Sequence, residues 1–132
     1  MKKISLLGLL VAIAISVQAY DFTYTYEDMT LYYEITDPDA KTVKVVPQRT
    51  SVESTTGVYY DSSYPSGKHV VIPEKVEGEY GDGYEWFTVT GIGDYAFYAT
   101  TTSSSSYKEY ILSVIIPRTV KTIGNHAFSG AF

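Results

Sequence analysis

His69 and His126 are the two imidazoles of the chain. A hydrolytic site would need one of them beside a nucleophile such as Ser66 or Ser129, with a carboxylate behind it. No spacing fixes that geometry, and His126 falls at a variable position of an internal repeat, matched by Tyr95, so no catalytic residue is assigned and no enzyme is expected. Gly91-Ile92-Gly93-Asp94-Tyr95-Ala96 follows a predicted strand and satisfies the Gly-x-Gly-x-x-Ala spacing of a dinucleotide fingerprint. A pyrophosphate site also needs a helix opening at the second glycine, which Ala99 to Ser106 cannot sustain; no cofactor is expected. Asp37 with Asp39, and Asp82 with Glu85, offer oxygen ligands for calcium without the spacing of a full loop. They read as turn carboxylates, and no metal is assigned. What remains is recognition by contact, for which 14 tyrosines supply flat rings with a hydroxyl that tolerates water. Tyr24, Tyr26, Tyr32 and Tyr33 are expected on sheet surfaces and in cross-strand pairs. Tyr59, Tyr60, Tyr64, Tyr107 and Tyr110 lie in or near predicted loops and are the better candidates for contact.

The elements that must position these residues fit within one domain of 132 residues. At 45% hydrophobic and 15% aromatic, the chain is too apolar for intrinsic disorder. A net charge of -5 repels phosphodiester backbones and anionic headgroups, so nucleic acid is not an expected partner. With no cysteine, stability cannot rest on disulfides. Lys2 and Lys3 precede an uncharged run from Ile4 to Val17, and Val17-Gln18-Ala19 has small residues at the -3 and -1 positions of a cleavage site. Residues 1–19 therefore read as a signal peptide cleaved after Ala19, and the protein is expected to be secreted or at the cell surface. The run of 14 residues is short of the roughly 20 that cross a bilayer.

Between Tyr20 and Val46 the residues alternate as in strands, and Asp37-Pro38-Asp39-Ala40 marks a hairpin. Gly81-Asp82-Gly83 marks another. The informative feature is a repeat. Val70-Val71-Ile72-Pro73-Glu74-Lys75-Val76 recurs as Val114-Ile115-Ile116-Pro117-Arg118-Thr119-Val120, 44 residues on. Val89-Thr90-Gly91-Ile92-Gly93-Asp94-Tyr95-Ala96-Phe97 recurs as Val120-Lys121-Thr122-Ile123-Gly124-Asn125-His126-Ala127-Phe128, 31 residues on. The first copy carries an insertion of 13 residues, within Glu77 to Thr90, that contains the second hairpin. Short periods of this kind belong to solenoids.

The pattern Val-x-x-Ile-Gly-x-x-Ala-Phe, a loop, then Ile-x-x-Val-x-Ile-Pro-x-x-Val resembles the BspA-type leucine-rich repeat family of bacterial surface proteins. Ile111, Val114 and Ile116 match its strand ladder, Pro117 and Val120 the turn after it, and Ile123, Gly124, Ala127 and Phe128 the returning side. The resemblance implies a mainly β fold: a short leucine-rich-repeat solenoid of about two coils over 68–132, preceded by an N-terminal antiparallel sheet as a cap region over 20–67. Val70, Ile72, Val114 and Ile116 would then point inward, Gly93 and Gly124 would allow the bend, and Phe97 and Phe128 would close the open side. His69, Val71, Ser113 and Ile115 would look outward on the binding face of the sheet. These four, with Tyr107 and Tyr110, are the candidate partner-binding residues.

The resemblance implies a non-enzymatic secreted or surface-exposed module for protein–protein interaction or adhesion, with a host matrix or bacterial surface protein as the kind of partner. A second expectation is a truncated or assembly-dependent structural piece. The sequence stops at Gly130-Ala131-Phe132 without a polar capping repeat, so the second coil would expose ladder residues and pair with another chain. A carbohydrate-binding module using the aromatic loops is the third, with glycan as its partner.

Overall fold

The computed structural model describes residues 19–51, 59–60, 63–99 and 110–132, among which there is no helix. The signal-peptide expectation, apart from Ala19, and Tyr107 lie outside the described residues. Eight strands follow in order: β1 (Phe22–Tyr26), β2 (Met29–Asp37), β3 (Thr42–Val46), β4 (His69–Val71), β5 (Lys75–Tyr80), β6 (Gly83–Ile92), β7 (Ser113–Ile115) and β8 (Thr122–Ile123). Three hairpins punctuate them. Glu27 and Asp28, both at positive φ, join β1 to β2 in the backbone geometry that suits a tight hairpin. The Asp37 carboxylate accepts bonds from the amides of Asp39 and Ala40 at 2.9 and 3.1 Å, which fixes the expected turn between β2 and β3. Gly81, at φ 64°, and Asp82 join β5 to β6, with Tyr80 opposite Gly83.

The main sheet runs β1-β2-β3-β6-β5, with β8 also on β6. It curls until β1 lies against β5, so the sheet is nearly closed. The seam is packed rather than laddered: no hydrogen-bonded register joins β1 to β5 among the described residues. There the Phe22 ring lies where a side chain on Gly78 would have to go. Phe22 also stacks on Tyr33 at 5.8 Å and meets Phe87 at 5.5 Å between ring centroids. Alternation on β2 and β3 sends Leu31, Tyr33, Val43 and Val45 into one core with Val70, Val76, Val89 and Phe97.

One expectation changes here. The residues of the N-terminal cap region share one sheet with the repeat region, because β3 pairs in parallel with β6, Val43 opposite Val89 and Val45 opposite Ile92. Val43 and Val45 have no freestanding core of their own and bury themselves by this pairing. Tyr32 and Tyr33, expected on sheet surfaces, are both buried, since β2 is covered on its two faces: Tyr33 faces the main core and Tyr32 packs with Tyr60, Val46 and Ala99.

Equivalent positions of the sequence repeat meet in register. β4 pairs in parallel with β7, His69 opposite Ser113 and Val71 opposite Ile115. β6 pairs in parallel with β8, Ile92 opposite Ile123. The same bond recurs at each level: the Gly93 amide donates to the Val45 carbonyl and the Gly124 amide to the Ile92 carbonyl, both at 2.7 Å. On the returning side, the amides of Tyr95, Phe97 and Ala99 donate to the carbonyls of Asn125, Ala127 and Ser129 at 3.0, 2.7 and 2.9 Å. Phe97 stacks on Phe128 at 5.4 Å and Tyr95 on His126 at 5.3 Å. Gly124 is required at its place: a Cβ there would meet the Asp94 amide nitrogen at 2.6 Å and the Gly93 carbonyl carbon at 2.8 Å. The Asp94 carboxylate uses the room, accepting a bond from the Asn125 amide at 2.7 Å.

Candidate interaction surface

β4 and β7 are three residues each, and their alternation decides what the surface presents. Val70 is fully buried and Val114 packs on the core. His69, Val71, Ser113 and Ile115 are therefore on the opposite face, as the repeat pattern predicts. His69 and Ile115 are exposed and Val71 and Ser113 half-buried. The His69 Nδ1 and the Ser113 Oγ are 2.8 Å apart, an imidazole–hydroxyl pair between equivalent repeat positions. Among the described residues no carboxylate bonds the other ring nitrogen. Tyr110 is exposed just before β7, where its carbonyl accepts a bond from the Gly67 amide at 3.0 Å.

Three of the loop tyrosines, Tyr59, Tyr60 and Tyr64, are engaged within the fold. Tyr60 is buried, and its hydroxyl donates to the Ala96 carbonyl. Tyr64 donates to the Phe97 carbonyl at 2.8 Å. The two phenols tie the stretch before β4 to the first returning turn, and burial pushes both above the ordinary tyrosine range. Tyr59 packs against Tyr95 and Tyr98 at 5.0 and 5.5 Å.

Two of the four carboxylates considered for calcium are engaged: Asp37 bonds its own turn, and Glu85 pairs with Lys41 at 2.5 Å, which raises the lysine above its usual value. Gly91 and Gly93 lead into a turn over residues 94–97, not a helix. An open cleft of about 350 Å³ is lined by Ala19, Tyr20, Asp21, Glu34 and Thr50. Its two carboxylates already accept partners, the Ile35 amide at 2.8 Å and Lys44 at 3.2 Å.

A second surface lies on the C-terminal repeat copy, where the sequence leads one to expect pairing with another chain. Ile72 is 2% exposed, but its repeat partner Ile116 is 40% exposed; Ile92 is 1% exposed, but its partner Ile123 is 54% exposed. Ile116 thus departs from its expected inward role. The first repeat copy is covered by the second, and no described segment covers the second, so identical side chains at identical positions differ in burial. Leu112 and Phe132, near the second copy, are also exposed. The signal was available in the sequence, since a ladder position is buried only when a successor stacks on it.

The fold defined by these contacts is a mainly β protein whose sheet nearly closes and whose two repeat copies lie in parallel register. Neither a family model, nor a curated protein, nor a solved structure matches this chain.

Proposed function

We propose that this protein is a secreted or surface-exposed, non-enzymatic recognition module of the leucine-rich-repeat type that the BspA-like pattern implies, acting in protein–protein interaction or adhesion. The observation that supports the reading most is the parallel register of His69 with Ser113 and Val71 with Ile115. It sets two polar and two aliphatic side chains on one face of a short sheet whose other face is locked in the core. Such a face is rigid before binding, and little side-chain or loop entropy is lost when a partner covers it.

A second reading has its own support. Leu112, Ile116, Ile123 and Phe132 present apolar surface on the second coil, and covering an aliphatic or aromatic side chain is worth roughly 1.5–3 kcal/mol when complete. On that reading the second coil is an assembly face that pairs with another chain.

One experiment separates the two. Residues 20–132 are measured by light scattering over a micromolar concentration series and then screened against immobilised matrix proteins, alongside Val71→Lys with Ile115→Lys and Ile116→Lys with Ile123→Lys. A recognition module stays monomeric and loses its partner in the first pair only. An assembly piece self-associates and reverts towards monomer in the second pair only. Binding that survives the first pair in a monomeric protein would move the site away from β4 and β7.

A further inference from the structure

The β5–β6 hairpin is the insertion that interrupts the first repeat, and its two faces have opposite character. Val76, Gly78 and Phe87 are buried on the inner face. On the outer face Glu77 lies directly opposite Trp86, and Glu79 directly opposite Tyr84; directly opposed residues share one side of a sheet. Trp86 is 52% exposed and Tyr84 65% exposed, and both glutamates are exposed. The Tyr24 ring, on β1 across the seam, meets Trp86 edge-on at 6.1 Å. Glu34, Glu74 and Glu85 are each paired with Lys44, Arg118 and Lys41, while no described cation pairs with Glu77 or Glu79. Two aromatic faces and two carboxylates without an ion-pair partner among the described residues are thus set side by side, with Lys75 the cation at the start of β5 on the same face.

We propose that this outer face docks lysine or arginine side chains of a basic, extended polypeptide segment, with a cation over the Trp86 ring and Glu77 and Glu79 flanking it. Ring quadrupole and carboxylate attract the same charge, so the two features reinforce one another for a cationic ligand. A neutral saccharide would use the ring and leave the carboxylates without their charge partner. The net charge of -5 adds long-range attraction for a basic segment. The site is independent of the β4–β7 face and stands or falls separately from it.

Trp86 is the single tryptophan, so its emission reads occupancy directly. The full chain is titrated with octalysine, with a Gly-Ser peptide of equal length, and with a chito-oligosaccharide. Octalysine is expected to give a saturable change that weakens at least fivefold from about 50 mM to about 500 mM salt, because exposed charges are screened; the other two give none. By calorimetry, Trp86→Ala is expected to weaken octalysine about fivefold and Trp86→Phe less, as an exposed cation–π contact implies. Glu79→Gln is expected to weaken it severalfold, while Glu34→Gln, which removes the same charge from β2, changes it less than twofold. Near-ultraviolet circular dichroism checks that each variant keeps its tyrosine packing. No response to octalysine, an equal loss with Glu34→Gln, or a salt-independent response to the oligosaccharide would each overturn the proposal.

Discussion

Tyr60 shows how one side chain can be read wrongly from its neighbours and rightly from its surroundings. In sequence it lies in a polar loop, yet it is buried, and its hydroxyl bonds the Ala96 carbonyl. Burial raises its phenol well above the ordinary value, with neighbouring tyrosines adding to the effect, and burial likewise raises Tyr33 and Tyr64. The folded state therefore holds these protons more tightly than the unfolded chain, whose phenols titrate near 10. Stability from this source is complete below about pH 10 and falls as pH rises beyond it. Urea midpoints between pH 7 and pH 11 are expected to drop steeply above pH 10 in the wild type. Tyr60→Phe is expected to cost about 1 kcal/mol at pH 7 through the lost hydrogen bond, and to show a shallower alkaline decline. An unchanged decline would remove Tyr60 from that account.

Among the elements, the seam between β1 and β5 closes the sheet without a ladder of backbone bonds. Its closure rests on the Phe22 ring lying over Gly78 and against Tyr33 and Phe87. Gly78→Ala puts a methyl group into the ring's place, and the ring has little freedom to move because it is buried on its other sides. The expected cost is about 1–3 kcal/mol, as for other overpacked cores. Amide exchange should quicken in β1 before it does in β2 or β3, which remain laddered to their neighbours. Equal acceleration in all three strands would mean that the seam does not open by itself. The β5–β6 hairpin obeys a different logic, because a two-residue turn fixes which residues oppose one another and so places Trp86 and Tyr84 beside Glu77 and Glu79.

At the scale of the whole molecule, parallel pairing of β3 with β6 joins the residues before 47 to the repeats after 68. Tyr60 and Tyr64 add side-chain bonds from the intervening stretch to the returning turn at Ala96 and Phe97. A core shared in this way should unfold as one cooperative unit. Far-ultraviolet and tyrosine near-ultraviolet circular dichroism are expected to give coincident urea transitions. Two separated transitions would mean that the cap region and the repeats unfold as separate units. Three of the six strand pairs among the described residues, β3–β6, β4–β7 and β6–β8, join distant parts of the chain, so refolding is expected in the slow, millisecond-to-second range of sheet proteins.

The sequence by itself determined the local elements and the register of the repeat. Strand alternation, the turn chemistry of Asp37-Pro38-Asp39-Ala40 and Gly81-Asp82-Gly83, and the recurrence of Ile-Pro and Ile-Gly-x-x-Ala-Phe are short-range patterns, and they carry β2, β3, β5, β6 and the outward place of His69, Val71, Ser113 and Ile115. Tertiary structure decided what no local pattern encodes. Whether Ile116 and Ile123 are buried depends on a neighbour that must stack on them, not on their own repeat position. Whether Tyr60 anchors or contacts depends on a carbonyl 36 residues away. Phe22 and Gly78 meet because the sheet curls, and sheet curvature is the sum of many strand twists, which a reading of individual strands does not supply.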